Sequence, residues 1–258
     1  MSDLNHPTRN VSVIGLGSMG SGIARTFLES GCHVSVWNRS RAKVDELVSL
    51  GATACESPGE ALDANTHVVV CLSTYSVWRK IIEEHDLTGH FNDTCIIQLT
   101  TGTIDDVEGH ASLIKESGGR LADGAVLCYP SQLGTEDGSL LMSGAAEVLE
   151  ECDPLLRVLA RTWTNLGEDI RQPAILSRAL ISGMVTSLVG LINGVAICQA
   201  GGVSLDLFKQ FFEGSNTIIN NEQARLINVI RDGHTEETEA SISAWGEGHQ
   251  AVLSVAET

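Results

Sequence analysis

Six residues near the N-terminus constrain this chain more than any others: Gly15-Leu16-Gly17-Ser18-Met19-Gly20. They follow the apolar run at 11–14, which reads as a β-strand. They open the stretch 21–30, where Ile23, Phe27 and Leu28 share one helical face and Gly31 follows as a C′ glycine does. Strand, glycine-rich turn and helix in that order begin a βαβ unit that binds a dinucleotide. Gly15 permits the tight turn, Gly17 lets the backbone approach a pyrophosphate, and Gly20 lets the helix pack on the sheet. The free N–H groups at the helix start then meet the phosphate oxygens.

The rest of the first half repeats this alternation. Residues 33–37, 67–72 and 95–99 read as strands, with weaker strand patterns at 126–128 and 140–142. Val44, Leu47 and Val48 mark a second amphipathic helix ended by Gly51. Ser57-Pro58-Gly59-Glu60 reads as a capping box that opens a helix to about residue 63, and Thr103-Ile104-Asp105-Asp106 caps another. Alternating strands and helices predict an α/β fold with a doubly wound, parallel sheet. After Asn165 the strand signals stop. Helical patterns at 174–200, 205–212, 217–231 and 236–257 take over. The expected domains are therefore a dinucleotide-binding domain at 1–166 and a helical domain at 167–258.

An NAD-binding unit carries Asp or Glu about 20 residues past the glycines, on the ribose hydroxyl. Here that position reads Trp37-Asn38-Arg39-Ser40-Arg41-Ala42-Lys43, with three cations and no carboxylate. Asn38, Arg39, Ser40 and Lys43 are what a ribose 2′-phosphate requires, so the expected cofactor is NADP(H). Such sheets bind ligands outside the carboxyl ends of their strands. Leu72 and Ser73 after one strand, and Thr100 and Thr101 after the next, are expected to cover the adenine and nicotinamide sides.

Composition narrows the partners. The chain has 258 residues and a formal net charge of −17, which repels nucleic acid and anionic membrane. Aromatics are 4%, too few for a base-stacking platform. The seven cysteines are odd in number, evenly spread and without a CxxC pair, so buried thiols in the cytoplasm are expected, with no disulfide scaffold and no metal site. The first ten residues lack an apolar core, so no secretory leader is expected. Residues 174–198 raise the membrane question, but Ser177, Arg178, Ser182, Thr186, Ser187 and Asn193 argue for a helix buried in protein.

The ordered runs VSVIGLGSMGSGIA, VWNRSRAK, LTTGT, DGAVLCYPSQLGT, LLMSG and NLGED resemble the imine reductases and reductive aminases, a branch of the β-hydroxyacid dehydrogenase superfamily. The resemblance covers about residues 11–200. It implies a Rossmann domain, a long interdomain helix and a small helical domain, assembled as a homodimer with exchanged helical domains. It also implies NADPH-dependent reduction of a small imine, preformed or made from a ketone and an amine, in an inter-subunit cleft. The family's acid is an Asp or Tyr early in the long helix, eight residues after the Asp of a GED-like motif. In this chain the motif is Gly167-Glu168-Asp169, and the acid's position holds Ser177.

A C=N bond is best reduced as the cationic iminium, so an acidic site or a proton donor is needed. Asp169 is the candidate carboxylate, read as an ionised electrostatic partner of the iminium; acting as an acid would need its pKa raised by about 3 units. Ser177 is the candidate to donate a hydrogen bond or hold a water. Tyr129 is a candidate pocket wall and His249 a candidate reaching a partner's cleft, each with an ordinary packing or surface alternative. Alcohol oxidation of the β-hydroxyacid type uses a Lys early in the long helix. No lysine lies between Glu116 and Phe208, and Arg178 cannot shuttle protons. A non-catalytic NADPH-binding protein remains the other alternative.

Overall fold

The computed structural model describes residues 9–233 and 246–247. Its strands are β1 (Asn10–Ile14), β2 (His33–Trp37), β3 (Thr53–Ala54), β4 (His67–Val70), β5 (Cys95–Gln98), β6 (Arg120–Val126), β7 (Leu140–Gly144) and β8 (Thr164–Asn165). They form one sheet in the order β3-β2-β1-β4-β5-β6-β7-β8. Every neighbouring pair is parallel except β6 with β7. The order reverses beside β1, so the carboxyl ends of β1 and β4 open the crevice where doubly wound sheets bind ligands.

The strands sort their side chains with a period of two. Val11, Val13, Val69 and Ile97 face one core together with Ile23 and Phe27 of α1 (Ser18–Glu29), Leu47 of α2 (Arg41–Val48) and Leu156 of α6 (Ala146–Leu159). Ile14, Val68, Val70 and Ile96 face the other, with Leu62 of α3 (Pro58–Ala64), Trp78 of α4 (Tyr75–His85) and Ile114 of α5 (Ile104–Glu116). Burial on both faces explains why β4 is continuously apolar.

Several elements differ from the sequence reading. β6 begins at Arg120 and ends at Val126, before the 127–128 pair expected in a strand. Its Ala and Gly residues hide it from propensity, and pairing with β5 and β7 sets it instead. In the capping box of α3, Ser57 accepts from the Glu60 N–H at 3.0 Å, but the Glu60 carboxylate reaches Glu56 N–H at 2.7 Å and not its cap. The box of α5 is reciprocal between Thr103 and Asp106.

The chain divides into two compact units, Met1–Leu180 and Ile181–Thr258. The division falls inside α7 (Gln172–Ala200), a few turns beyond the point where strands give way to helices. In the second unit α8 runs unbroken through Leu205–Asp232, where two helices were expected. Gly214 and Asn216 weaken a helix without removing a hydrogen bond, as proline would. Gly194 lets the Phe208 ring approach α7; a Cβ there would meet the ring at 2.9 Å. The helix expected at 236–257 lies outside the described residues. Among the described residues, α7 is the one helix long and apolar enough to cross a membrane.

Candidate active site

The turn after β1 is built by backbone geometry. Gly15 has φ +96°, and a Cβ there or on Gly20 would collide with a backbone carbonyl, that of Cys71 or of Gly15 respectively. Gly15 N–H donates to Trp37 O at 3.0 Å, and Leu16 N–H donates to Asn38 Oδ1 at 3.0 Å, so the end of β2 is pinned to the loop. Gly17 caps α1 with no side-chain acceptor, leaving the first N–H groups of the helix free. A Cβ on Gly17 would meet nothing within 4 Å. That open space is where a pyrophosphate would approach the helix start.

A cleft of about 610 Å³ lies over this turn. It brings together Gly15, Leu16, Gly17, Ser18, Met19 and Gly20 with Asn38, Arg39, Ser40, Lys43, Leu72 and Ser73. The three cations after β2 separate. Arg41 pairs with Asp45 at 2.9 Å and Glu56 at 2.8 Å, whereas Arg39 and Lys43 line the cleft with no ion pair among the described residues. Two cations free to meet a phosphate, on a chain of net charge −17, fit NADP(H). α4 adds Lys80, Ile81 and His85 to the cleft wall, and His85 stacks edge-on against Trp37 at 5.9 Å. The sequence reading did not contain α4; Val77, Trp78, Ile81 and Ile82 at helical spacing after Thr74 were the signal for it.

Thr100 and Thr101 lie elsewhere, in a small crevice with Gly102, Asp123 and Ser177. Thr100 Oγ1 accepts from Leu72 N–H at 3.0 Å, so the crevice and the cofactor cleft share a wall. Ser177 is buried and donates to Ala174 O at 3.3 Å. Arg178 donates to Gly102 O and pins the start of α7 to the loop after β5. Asp169 is outside this crevice. Its carboxylate takes both ends of the Arg171 guanidinium, at 2.8 and 2.9 Å, and the Arg171 N–H at 3.1 Å. Those bonds hold it well below the usual carboxylate range, so it is ionised at neutral pH and already paired. Tyr129 is 74% exposed, at the turn before Pro130–Gln132. His249 lies outside the described residues.

The sequence reading missed Asp123. It is 2% exposed in the middle of β6 and accepts a hydrogen bond from the equally buried Tyr75 hydroxyl. Burial pushes its pKa up to about 7, against the Tyr75 hydrogen bond, which lowers it. The same burial raises the Tyr75 phenol. His110, edge-on to Tyr75 at 5.6 Å, is pushed down to about 4 by burial and then by Arg79. The signal was an acid within Leu121-Ala122-Asp123-Gly124-Ala125-Val126, since carboxylates are almost never fully buried without a reason.

At the other end of the sheet, a ring nitrogen of His67, Cys95 Sγ and Cys152 Sγ lie within 4.8 Å of one another. The two sulfurs are 3.4 Å apart, the distance of a thiol donating to a neighbouring sulfur. The sequence, which placed these residues far apart, gave no sign of the grouping.

What fold and cleft define together is an NADP-dependent oxidoreductase of the Rossmann type. Residues 10–167 match the NAD binding domain of 6-phosphogluconate dehydrogenase, and the chain belongs to that family; it is also similar to reductive aminases and imine reductases. The NADPH-dependent reductive aminase of Aspergillus oryzae is 29% identical over 195 residues, 75% of this chain and 65% of that enzyme, so the chain spans just under two thirds of its length. Glyoxylate/succinic semialdehyde reductase 1 of Arabidopsis thaliana is 29% identical over 207 residues, 76% of this chain and 68% of that protein. The imine reductase from Myxococcus stipitatus in complex with NADP+ has a TM-score of 0.91 at 28% identity, covering 97% of this chain and 87% of that one. The cofactor is NADP(H).

Proposed function

We propose that this protein reduces the C=N bond of a small imine or iminium. Bound NADPH supplies the hydride. The free N–H groups at the start of α1 hold the pyrophosphate, and Arg39 and Lys43 hold the 2′-phosphate. Thr100 and Leu72 tie the cofactor cleft to the crevice that Ser177 and Asp123 line.

The observation that carries this reading over alcohol oxidation is the absence of a lysine. Dehydrogenation of a hydroxyacid needs a base able to take the hydroxyl proton. No lysine lines the crevice, and the cation beside it, Arg178, is bound to the Gly102 carbonyl. We further propose that the working form is a homodimer with exchanged helical domains. Support comes from α7, where Leu188, Val189 and Ile192 are 51%, 60% and 68% exposed in the single chain.

The test is NADPH consumption with cyclic imines and with ketone–amine pairs, against NADP+ reduction by 3-hydroxyacids and NADPH oxidation by small aldehydes. Turnover of imines supports the proposal. Turnover of hydroxyacids or aldehydes alone overturns it, and tight NADPH binding with no turnover identifies a non-catalytic binding protein.

A further inference from the structure

A neutral imine needs a proton as well as a hydride, and the hydroxyl of Ser177 is too weakly acidic to give one. Among the described residues nine line the crevice that holds Ser177, and of these Asp123 alone has an ionisable side chain. We propose that Asp123 is the proton donor for imine reduction, acting across the crevice it shares with Ser177. This rests on the reading of the chain as an imine reductase.

The structure builds a site around this carboxyl. Gln98, Asp123 and Ser143 are register partners across β5, β6 and β7, so all three project from one face of the sheet. All three are buried. Ser143 Oγ has no hydrogen-bond partner among the described residues, which leaves a hydroxyl beside Asp123 able to serve either protonation state. Gln98 is oriented by Thr100 N–H at 3.1 Å and by His110 at 3.3 Å. Tyr75, from α4, donates to one oxygen of Asp123, leaving the other to carry the proton. The charged and titratable groups around this pair are few. On α5, Asp106 is paired with Arg79 of α4 at 2.8 Å, and His110 is held neutral by burial. On α7, Arg178 is committed to the Gly102 carbonyl. Among the described residues no cation pairs with Asp123, and the Tyr75 hydroxyl alone opposes its protonated form.

In the proton-transfer step the O–H bond of the Asp123 carboxyl breaks and an N–H bond forms on the imine, through one water beside Ser177. The crevice, about 10 Å³, is of the size that holds one. The iminium carbon takes the cofactor's hydride, and the Asp123 carboxylate recovers its proton from solvent. Imine, NADPH and one proton become amine and NADP+.

The test compares 3,4-dihydroisoquinoline, which needs a proton, with its N-methyl iminium salt, which does not. In Asp123→Asn the ratio of imine to iminium turnover at alkaline pH falls by about 100-fold; an unchanged ratio overturns the proposal. Tyr75→Phe removes the bond that lowers the Asp123 pKa, so the alkaline limb of the imine rate moves up by about half a unit. A limb that stays in place overturns the proposal even if Asp123→Asn fails to fold. Carbon-13 NMR of the aspartate carboxyls reads the group without turnover: Asp123 titrates near 7, and ionisation at every pH from about 5 upward is the contrary result. A wild-type protein that reduces the iminium but never the imine also overturns the donor. One that reduces neither overturns the imine reductase reading itself.

Discussion

Arg39 and Arg41 stand two positions apart in one turn, yet only Arg39 is left to meet a ligand. Arg41 is taken by two carboxylates. Arg39→Ala should therefore raise the KM for NADPH about tenfold or more and leave NADH use nearly unchanged, since charge-assisted bonds contribute about 1.5–3 kcal/mol. Arg41→Ala should change neither by more than about threefold. Equal losses for the two cofactors in Arg39→Ala would remove the 2′-phosphate assignment. Asp169 is half-buried and already paired with Arg171, so Asp169→Asn should alter kcat by less than about fivefold, measured under saturating NADPH. Asp123 makes a stability prediction of its own. Its folded pKa, about 7, lies above the unfolded value near 4, so the folded state holds the extra proton between them. Stability contributed by the protonated group is fully present below about pH 4 and is lost as pH rises towards 7, by roughly 4 kcal/mol in all. His110 has the opposite sign: its pKa is lowered to about 4, so its contribution is lost as pH falls from about 6.5. The difference between wild type and Asp123→Asn isolates the first effect. Denaturant titrations at pH 4.5 and 7.5 should show Asn gaining on Asp at the higher pH; a constant difference would contradict the raised pKa.

At the scale of elements, the glycine turn separates stability from binding. Gly17 has φ −66°, a conformation alanine adopts freely, and its missing Cβ faces open space. Gly17→Ala should keep its Tm within a few degrees while the Kd for NADPH, from fluorescence titration, rises about tenfold. Gly20→Ala should fail in folding first, because its Cβ would strike the Gly15 carbonyl. Both effects are local, which is why the six-residue motif was legible. Apart from α4, the elements that escaped the sequence reading had weaker local codes. α6 carries Pro154 inside it, a residue that ordinarily ends a helix, and holds together through Leu149, Leu155, Leu156 and Leu159 against the sheet. β3 and β8 are two residues each and exist only as additions to longer neighbours.

For the whole molecule, α7 is the feature the described residues leave uncovered. An apolar helix with Met184, Leu188 and Ile192 exposed needs cover from another surface. Sedimentation velocity should show a dimer, and Leu188→Asp should shift it towards monomer with loss of turnover but with NADPH binding retained. A wild-type monomer that turns over substrate would defeat the exchanged-helix assembly. The parallel sheet and the preference for NADP(H) were written in local patterns: apolar runs, glycine spacing, and a basic turn without a carboxylate. Each depends on residues within about 30 positions of one another. The crevice was not, because burial is a property of what packs over a group. Asp123 becomes an acid with a pKa near 7 only when Tyr75, 48 positions away, and the start of α7 cover it. No spacing rule encodes that distance, and the desolvation that shifts the proton exists only in the folded chain.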